Sequence, residues 1–334
     1  MSRAVPLTRI AVIGPTATGK SELALDLADA LGDGPAGSEI LGADASQLYR
    51  GMDVGTAKLA PAERRGYPHH QIDVLDVAQE ASVAAYQRHA RADLAAIEAR
   101  GRRALIVGGS GLYVRAVTDA LDFPGTDPAV REGLEERART GGARALWEEL
   151  AGADPLSAQR IDDGDTRRIV RALEVLAVTG RPFSAALPRY EDIAPTVHLA
   201  LRPPRGALSA RINARTAAMF RPAAGPGIIE ETRGLIAAGL REGPTARRAI
   251  GYAQALAVID DALTVDEAID ATAAATRRLA SRQLKWFRRD PRIHWIDTRL
   301  TPDGAVPDGE RQRVLDVALR LVGAADSGRP EPVA

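Results

Sequence analysis

The chain has 334 residues, of which 45% are apolar and 26% charged, with no cysteine and with 44 basic residues against 44 acidic ones. That length can bury a full core and leaves room for two domains, and the composition excludes the disordered and collagen-like classes. The lack of cysteine excludes disulfides, thiolate zinc sites and cysteine nucleophiles, so any metal must take oxygen or histidine ligands. Zero net charge gives no nucleic-acid signal for the molecule as a whole, so local clusters have to carry one. No apolar run approaches the roughly 18 residues of a spanning helix, and Met1 to Leu7 lacks the apolar core of a signal peptide; a soluble cytoplasmic protein is the expectation.

In chain order, Arg9 to Ile13 is a short, branched, apolar run that reads as a buried strand. It empties into Gly14-Pro15-Thr16-Ala17-Thr18-Gly19-Lys20-Ser21, which fits the phosphate-loop pattern G-x-x-x-x-G-K-[ST]. Gly14 and Gly19 let the backbone curl so that its N–H groups face an anion, Lys20 adds a point charge, and the Ser21 hydroxyl is placed to hold Mg²⁺. Only three lysines occur in the chain (Lys20, Lys58 and Lys285), so one at the required position argues against a chance glycine turn. From Glu22 to Leu31, Leu23, Leu27 and Leu31 stand four apart on one helix face, and the helix's positive end points back at the loop. Taken alone the loop favours ATP or GTP, and it leaves open which phosphate compound binds.

After a turn at Asp33-Gly34-Pro35, Glu39 to Ala43 reads as a second strand ending at Asp44, where open α/β sheets keep their ligands. The carboxylate there suits either a general base or a helix N-cap. The stretch from Gln47 to Lys58 is rich in functional side chains, although an ordinary surface loop also reads this way. Next, Pro68-His69-His70 precedes a strand candidate over Ile72 to Asp76. Adjacent histidines point to opposite sides of an extended chain, which favours structural or phosphate-contact roles over a shared metal. Ser82 is placed to cap a long helix with Val83, Tyr86, Ala90, Leu94 and Ile97 on one face, stopped by Gly101. Ala104 to Val107 is a third buried strand, followed by Gly108-Gly109-Ser110-Gly111-Leu112-Tyr113 and another helix. In phosphate-loop NTPases a comparable strand ends in an acidic residue for Mg²⁺; here its end offers amides and a hydroxyl, which suit an anion.

Residues 1–120 and 195–325 therefore form a phosphate-loop core, an α/β fold with a doubly wound parallel sheet. Residues 121–194 are a helical insertion domain in which Asp127-Pro128 starts a helix, and 326–334 a flexible tail. Val197 to Leu201 returns to the sheet, Arg211–Thr216, Ile228–Ala238, Ala253–Asp261 and Val265–Trp286 are helical, and His294 to Ile296 is a last strand. Residues 277–292 hold seven basic side chains against Asp290 alone, with positions 278, 282, 285 and 289 on one helical face and Trp286 and Phe287 interleaved. Such a stripe fits RNA backbone contact and base stacking, or a solvated helix face. Arg167, Arg168 and Arg171 make a second basic cluster.

Three stretches together resemble one family: Gly14 to Ser21, Ala43-Asp44-Ala45-Ser46-Gln47-Leu-Tyr49-Arg50-Gly-Met-Asp-Val-Gly-Thr-Ala-Lys58, and Gly108 to Tyr113. They look like the bacterial tRNA dimethylallyltransferases, or tRNA isopentenyltransferases. Further matches run through Pro68-His69-His70, Asp165 to Val175, Arg211 to Arg215, Ala249 to Tyr252, and Thr276 to Gln283 with Trp286 to Arg288. The resemblance implies transfer of a dimethylallyl group from dimethylallyl diphosphate to N6 of the adenine just 3′ of the tRNA anticodon, by a monomer that holds the diphosphate on Gly14 to Ser21 with Mg²⁺. By residue match, Asp44 is the general base, Ser110 meets the bridging oxygen of the leaving diphosphate, and Arg215 with Lys20 contacts the diphosphate. The implied tRNA contacts are Asp44, Ala45, Ser46 and Gln47; Ser110; Arg131; Arg167, Arg168, Ile169, Val170 and Arg171; Arg248, Ala249, Ile250, Gly251, Tyr252 and Ala253; and Arg282 with Gln283.

The chemistry of the residues agrees. Departure of diphosphate from an allylic carbon needs positive charge where negative charge develops, and the amine, a poor nucleophile, needs an acceptor for its proton. The target base must also leave its stack, so the insertion is expected to grip the anticodon loop. The chain departs from the family at Ala45, usually serine; at Leu279 and Ser281; and in a turn between Met219 and Ile228 that is about four residues longer than usual. The rival readings are a phosphate-loop kinase of a small metabolite, using ATP on the same loop, and an NTP-regulated RNA-binding module.

Overall fold

The computed structural model describes residues 7–32, 34–121, 123–183 and 190–328. Asp33 of the expected turn and residues 329–334 of the expected tail lie outside these. Six strands, β1 (Arg9–Ile13), β2 (Ser38–Gly42), β3 (His69–His70), β4 (Arg103–Gly108), β5 (Thr196–Arg202) and β6 (Ile293–Asp297), pair in the order β3-β2-β4-β1-β5-β6. All the pairings are parallel, with Val12 opposite both Val107 and Leu199. Helices cover both faces, which explains why the strands are apolar without alternation. Leu23 and Leu27 of α1 (Lys20–Ala30) pack with Ile10, Val12, Leu199 and Leu201 against one face. On α2 (Val83–Ala99), Tyr86, Ala90, Leu94 and Ile97 are buried, and the Ser82 hydroxyl accepts from the Ala85 amide at 3.4 Å. After β4 the chain enters α3 (Gly111–Thr118). Because β1 lies between β4 and β5, the loop after it opens at the point where the strand order reverses, and the ends of β2 and β4 adjoin it.

Residues Asp119–Glu191 form a separate compact unit, the chain rejoining the first unit at Asp192. Its helices are α4 (Pro128–Ala153), α5 (Pro155–Ala158) and α6 (Thr166–Thr179), with no strand among the described residues. Asp127 caps α4, which breaks at Gly142 (φ 82°, ψ 158°). Leu134, Leu146, Leu150, Ile169, Val170 and Leu173 give the unit its own core. Beside it the fully buried carboxylate of Glu174 accepts from Arg131 and Arg171, each at 2.7 Å. Burial pushes Glu174 up, but the hydrogen bonds from Arg171 and Arg131 outweigh it and hold the carboxyl below its usual 4.5. A depressed carboxyl contributes stability above its unfolded-state value, and that contribution is lost as pH falls through the folded one. Glu174→Ala should therefore weaken the unit by about 2 kcal/mol near neutral pH, less than the 3–5 of a fully buried pair because both arginines are partly exposed. Amide exchange across α4 and α6 should show this difference shrinking once the pH drops below 4.5; a pH-independent difference would assign it to packing.

The remaining helices are α7 (Arg205–Phe220), α8 (Ile228–Ala237), α9 (Tyr252–Ile259), α10 (Val265–Phe287) and α11 (Glu310–Asp326). Three expectations need correction. The strand expected over Ile72 to Asp76 falls instead on His69–His70, because Gln71 and Asp73 take positive φ of 54° and 56° and turn the chain out of the sheet. The helix around Arg211–Thr216 begins at Arg205 and continues to Phe220. Finally, α11 was not anticipated: Val314, Ala318 and Val322 pack into the same core as α1, and Asp326 accepts two bonds from Arg103 (3.1 and 2.8 Å), so order extends past the expected start of the tail. The described residues include no helix long and apolar enough to cross a membrane.

Candidate active site

Between β1 and α1 the backbone takes positive φ at Gly14 (120°), Ala17 (65°) and Gly19 (94°). Thr18 Oγ1 and Lys20 Nζ both donate to the Pro15 carbonyl, at 3.0 and 2.6 Å, which fixes the curl. Helix α1 starts at Lys20 with no side-chain cap, so its first amides remain available to an anion at the helix's positive end. Desolvation lowers the Lys20 ammonium to about 8, with Asp44 opposing the fall and Arg215 adding to it. Arg215 donates to Thr16 Oγ1 at 3.0 Å, while its buried Nε has no partner among the described residues. Desolvation and then Arg211 make that guanidinium a stronger acid than usual, and Asp44 opposes them. A buried N–H without an acceptor, beside uncapped amides and a desolvated ammonium, calls for an anionic ligand. Arg211 lines the same cleft, whose volume is about 210 Å³; the i, i+4 spacing of Arg211 and Arg215 already put them on one helix face.

Asp44, at the end of β2, lines this cleft with Lys20, Ser21, Gln47, Thr56 and Arg215. No helix follows it, since residues 45–48 form turns, so it is not an N-cap. Its Oδ1 accepts from the Ser46 amide at 3.0 Å. Ser110 Oγ accepts from the Ala45 amide at 3.1 Å, leaving the hydroxyl proton available for donation. Thus the position where a serine is usual contributes its backbone. Close packing explains the glycines after β4: a Cβ at Gly108 would stand 2.1 Å from the Ala43 carbonyl, at Gly109 2.6 Å from Gln283 Nε2, and at Gly111 2.2 Å from Trp286 Nε1. The two histidines take different partners, His69 the Tyr67 carbonyl (2.8 Å) and His70 the Glu39 carboxylate (2.5 Å), which fits structural roles. Among the described residues no three or more His, Asp or Glu side chains group to hold a metal. The Ser21 hydroxyl, which lines the cleft, is the kind of sparse oxygen donor that suits Mg²⁺, which completes its shell with phosphate oxygens and water.

Two groups that hold the site were not recognised from sequence. Lys58, its side chain 2% exposed, donates to Tyr49 O (2.8 Å), Asp53 Oδ1 (2.6 Å) and Asp73 Oδ1 (2.7 Å). On α8, Glu231 accepts from the amides of Asp53 (3.1 Å) and Val54 (2.8 Å) and from the Tyr252 hydroxyl. Together they lock the segment from Asp44 to Lys58. The rarity of lysine was a signal for Lys58; nothing near Glu231 in the chain marks it.

Several side chains expected at RNA are engaged within the protein. Tyr252 is fully buried, its ring in the core with Met52 and Ile228, and so offers RNA no side-chain contact. Ile169 and Val170 lie in the helical unit's core. Arg131 and Arg171 neutralise Glu174. Gln283 bridges the phosphate loop and the turn after β4, accepting from the Thr16 amide and donating to the Gly109 carbonyl, both at 2.9 Å. Phe287 is buried, so Trp286, 37% exposed, is the aromatic left on the basic face. By contrast, Arg167, Arg248, Arg278, Arg282, Lys285 and Arg289 are exposed and make no ion pair or side-chain hydrogen bond among the described residues. Arg168 is exposed and reaches Asp165 at 3.4 Å. Ala249, Ile250 and Ala253 are half-buried beside the tightly packed Gly251.

A parallel sheet with a glycine-bracketed loop of the phosphate-loop type at its switch point, lining one cleft with a carboxylate that follows β2, two strands away, defines a phosphate-loop α/β fold. The chain belongs to the IPP transferase family, whose model matches residues 47–290. It is 53% identical over 323 residues to a tRNA dimethylallyltransferase of Kineococcus radiotolerans, covering 96% of this chain and 98% of that one. With the Streptomyces coelicolor tRNA dimethylallyltransferase it shares 50% over 323 residues, again 96% and 98% of the two chains. The crystal structure of the full-length tRNA isopentenylpyrophosphate transferase from Bacillus halodurans superposes with a TM-score of 0.66 at 33% identity, covering 96% of this chain and 98% of that one. A eukaryotic dimethylallyltransferase acting on tRNA shares the fold, with a TM-score of 0.77 at 22% identity over 98% of this chain and 81% of that one.

Proposed function

We propose that the protein transfers the dimethylallyl group of dimethylallyl diphosphate to N6 of the adenosine 3′-adjacent to the tRNA anticodon, releasing diphosphate, as a cytoplasmic monomer. The observation that carries this reading is the cleft in which the unpartnered Arg215 Nε and the uncapped start of α1 lie with the Asp44 carboxylate. In the reaction the C1–O bond breaks and its electron pair leaves with the bridging oxygen, which Ser110 is suited to meet with its free proton. The N6 lone pair forms the new C–N bond, and the proton released from N6 passes to Asp44. Lys20, Arg215 and the loop amides receive the charge developing on diphosphate. Mg²⁺, held by Ser21, would supply further neutralisation of that charge. ATP phosphates suit the same amides, so ATP is a second occupant of the loop in this reading. A kinase of this class would need an acidic residue ending β4, but the packing of Gly108 on the Ala43 carbonyl leaves no room for a side chain there.

The exposed cations of each unit would contact RNA phosphates. With about five such contacts the affinity should fall ~10²-fold or more between roughly 50 and 200 mM salt; a flat response in a filter-binding titration would remove them as contacts. The function itself is tested by incubating the protein with Mg²⁺, labelled dimethylallyl diphosphate and unmodified tRNA. Label should enter the tRNA; phosphate transfer from ATP without incorporation would overturn the reading in favour of a kinase.

A further inference from the structure

We propose that a second cavity, on the far side of the phosphate loop from Asp44, binds the chain of a longer polyprenyl diphosphate such as farnesyl diphosphate, which acts there as a competitive inhibitor and not as a donor. This goes beyond the proposed function but rests on its reading that an allylic diphosphate sits on the loop.

The strand order separates the two cavities. β1 has β4 and β2 on one side and β5 and β6 on the other. The cleft of Asp44 lies toward β2, whereas the second cavity is walled by Leu201 of β5, by Thr298, Arg299 and Leu300 after β6, and by Val314 of α11. Both reach Gly19 and Arg211, so they flank one phosphate site. The second has a volume of about 410 Å³, against about 210 Å³ for the cleft. Small-ligand sites run from ~300 to ~1,000 Å³, so it is large enough to hold one. Leu23, Leu201 and Val314 form its buried apolar floor, and Leu300 and Val306 its apolar rim, with Val306 48% exposed. No aromatic side chain among the described residues lines it. A nucleobase therefore finds no ring to stack on, while a branched alkyl chain needs only aliphatic contact.

The charges suit a diphosphate head. Arg211 and Arg299 form no ion pair or side-chain hydrogen bond among the described residues, and of the two only Arg211 also lines the Asp44 cleft. The carboxylates of the cavity are already neutralised: Glu22 and Asp26 pair with Arg311 at 2.7 and 2.6 Å, and Glu310 with Arg313 at 2.6 Å. The rim is also held in place. The Arg299 amide donates to Glu310 at 2.7 Å, and the Thr301 and Ala305 amides donate across the turn between them at 2.9 and 3.0 Å. Gly304 has a φ of 90° and packs so closely on α7 that a Cβ there would stand 2.7 Å from the Arg211 amide nitrogen. A chain laid in this cavity draws its C1 away from Asp44, so the head occupies the loop without reaction. A single isoprene unit is too short to fill the cavity, and each further unit buries more apolar surface.

The test measures, by isothermal titration calorimetry, binding of dimethylallyl, geranyl and farnesyl diphosphates and of ATP to the wild type and to the double variant Leu300→Asn, Val306→Asn, whose changes lie at the rim. Transfer of labelled dimethylallyl groups to tRNA is followed alongside, with farnesyl diphosphate as inhibitor. Farnesyl diphosphate should bind the wild type at least ~10-fold more tightly than dimethylallyl diphosphate, with the geranyl compound between them. It should inhibit competitively with the donor and leave no farnesyl group on the tRNA. The double variant should lose about tenfold in farnesyl affinity, with dimethylallyl binding and transfer unchanged. Equal affinities for the three diphosphates, transfer of the farnesyl group to tRNA, or an equal loss for all ligands in the variant would overturn the inference. A variant that loses ATP alone would overturn it too, assigning the cavity to a nucleobase. Label entering the tRNA under those outcomes keeps the proposed function and removes only the second site. A wild type that binds no allylic diphosphate and transfers no label overturns both.

Discussion

Asp44→Asn should slow prenyl transfer by something like 10²- to 10⁴-fold, the range for loss of a general base, while diphosphate binding stays nearly intact. Asparagine preserves the shape and can still accept from the Ser46 amide, which Asp44 now does at 3.0 Å, so the turn that shapes the cleft should survive. Binding changes little because two effects oppose. Removing the carboxylate takes away a charge that favours the protonated forms of Lys20 and Arg215, and it also relieves repulsion of the incoming anion. Single-turnover rates with labelled donor, set beside equilibrium binding of diphosphate, separate the two quantities. Unchanged turnover would eliminate Asp44 as the base.

Lys20→Met should lower kcat/KM for the allylic diphosphate by about 10²- to 10³-fold, the scale of losing one preorganised group at developing charge. Desolvation sets the free ammonium at about 8, unusually low for lysine, so in the empty site it titrates within an accessible range. Bound diphosphate favours the charged form. Binding above that pH therefore takes up a proton, and affinity should be level below about 8 and decline above it. The decline should be absent in Lys20→Met. If the variant kept the wild-type profile, another group would be titrating.

The phosphate loop was legible because its chemistry is local: two glycines, a lysine and a hydroxyl must follow one another at fixed spacing. Asp44 and Ser110 were legible as residues at strand ends. What stayed hidden is illustrated by Glu231, which holds the Val54 amide from 177 positions away. The internal roles of Tyr252 and Gln283 were hidden for the same reason. Both sit in stretches similar to RNA-binding segments, but the Tyr252 ring fills the core and the Gln283 amide fastens the phosphate loop. Similarity of a stretch marks a neighbourhood; which atoms face the ligand depends on packing from elsewhere.

By itself the sequence determined the parallel sheet core, the helical insertion and the glycine-bracketed loop between β1 and α1, since apolar periodicity, glycine breaks and cap residues act over a turn or a strand. Only the tertiary structure decided which polar side chains are free and which are bound. It paired Arg131 with buried Glu174, locked Lys58 beneath the segment from Asp44, and left Arg215 Nε without a partner among the described residues. The physical reason is that a hydrogen bond or ion pair depends on distance in space, and no local pattern encodes where a residue hundreds of positions away will arrive.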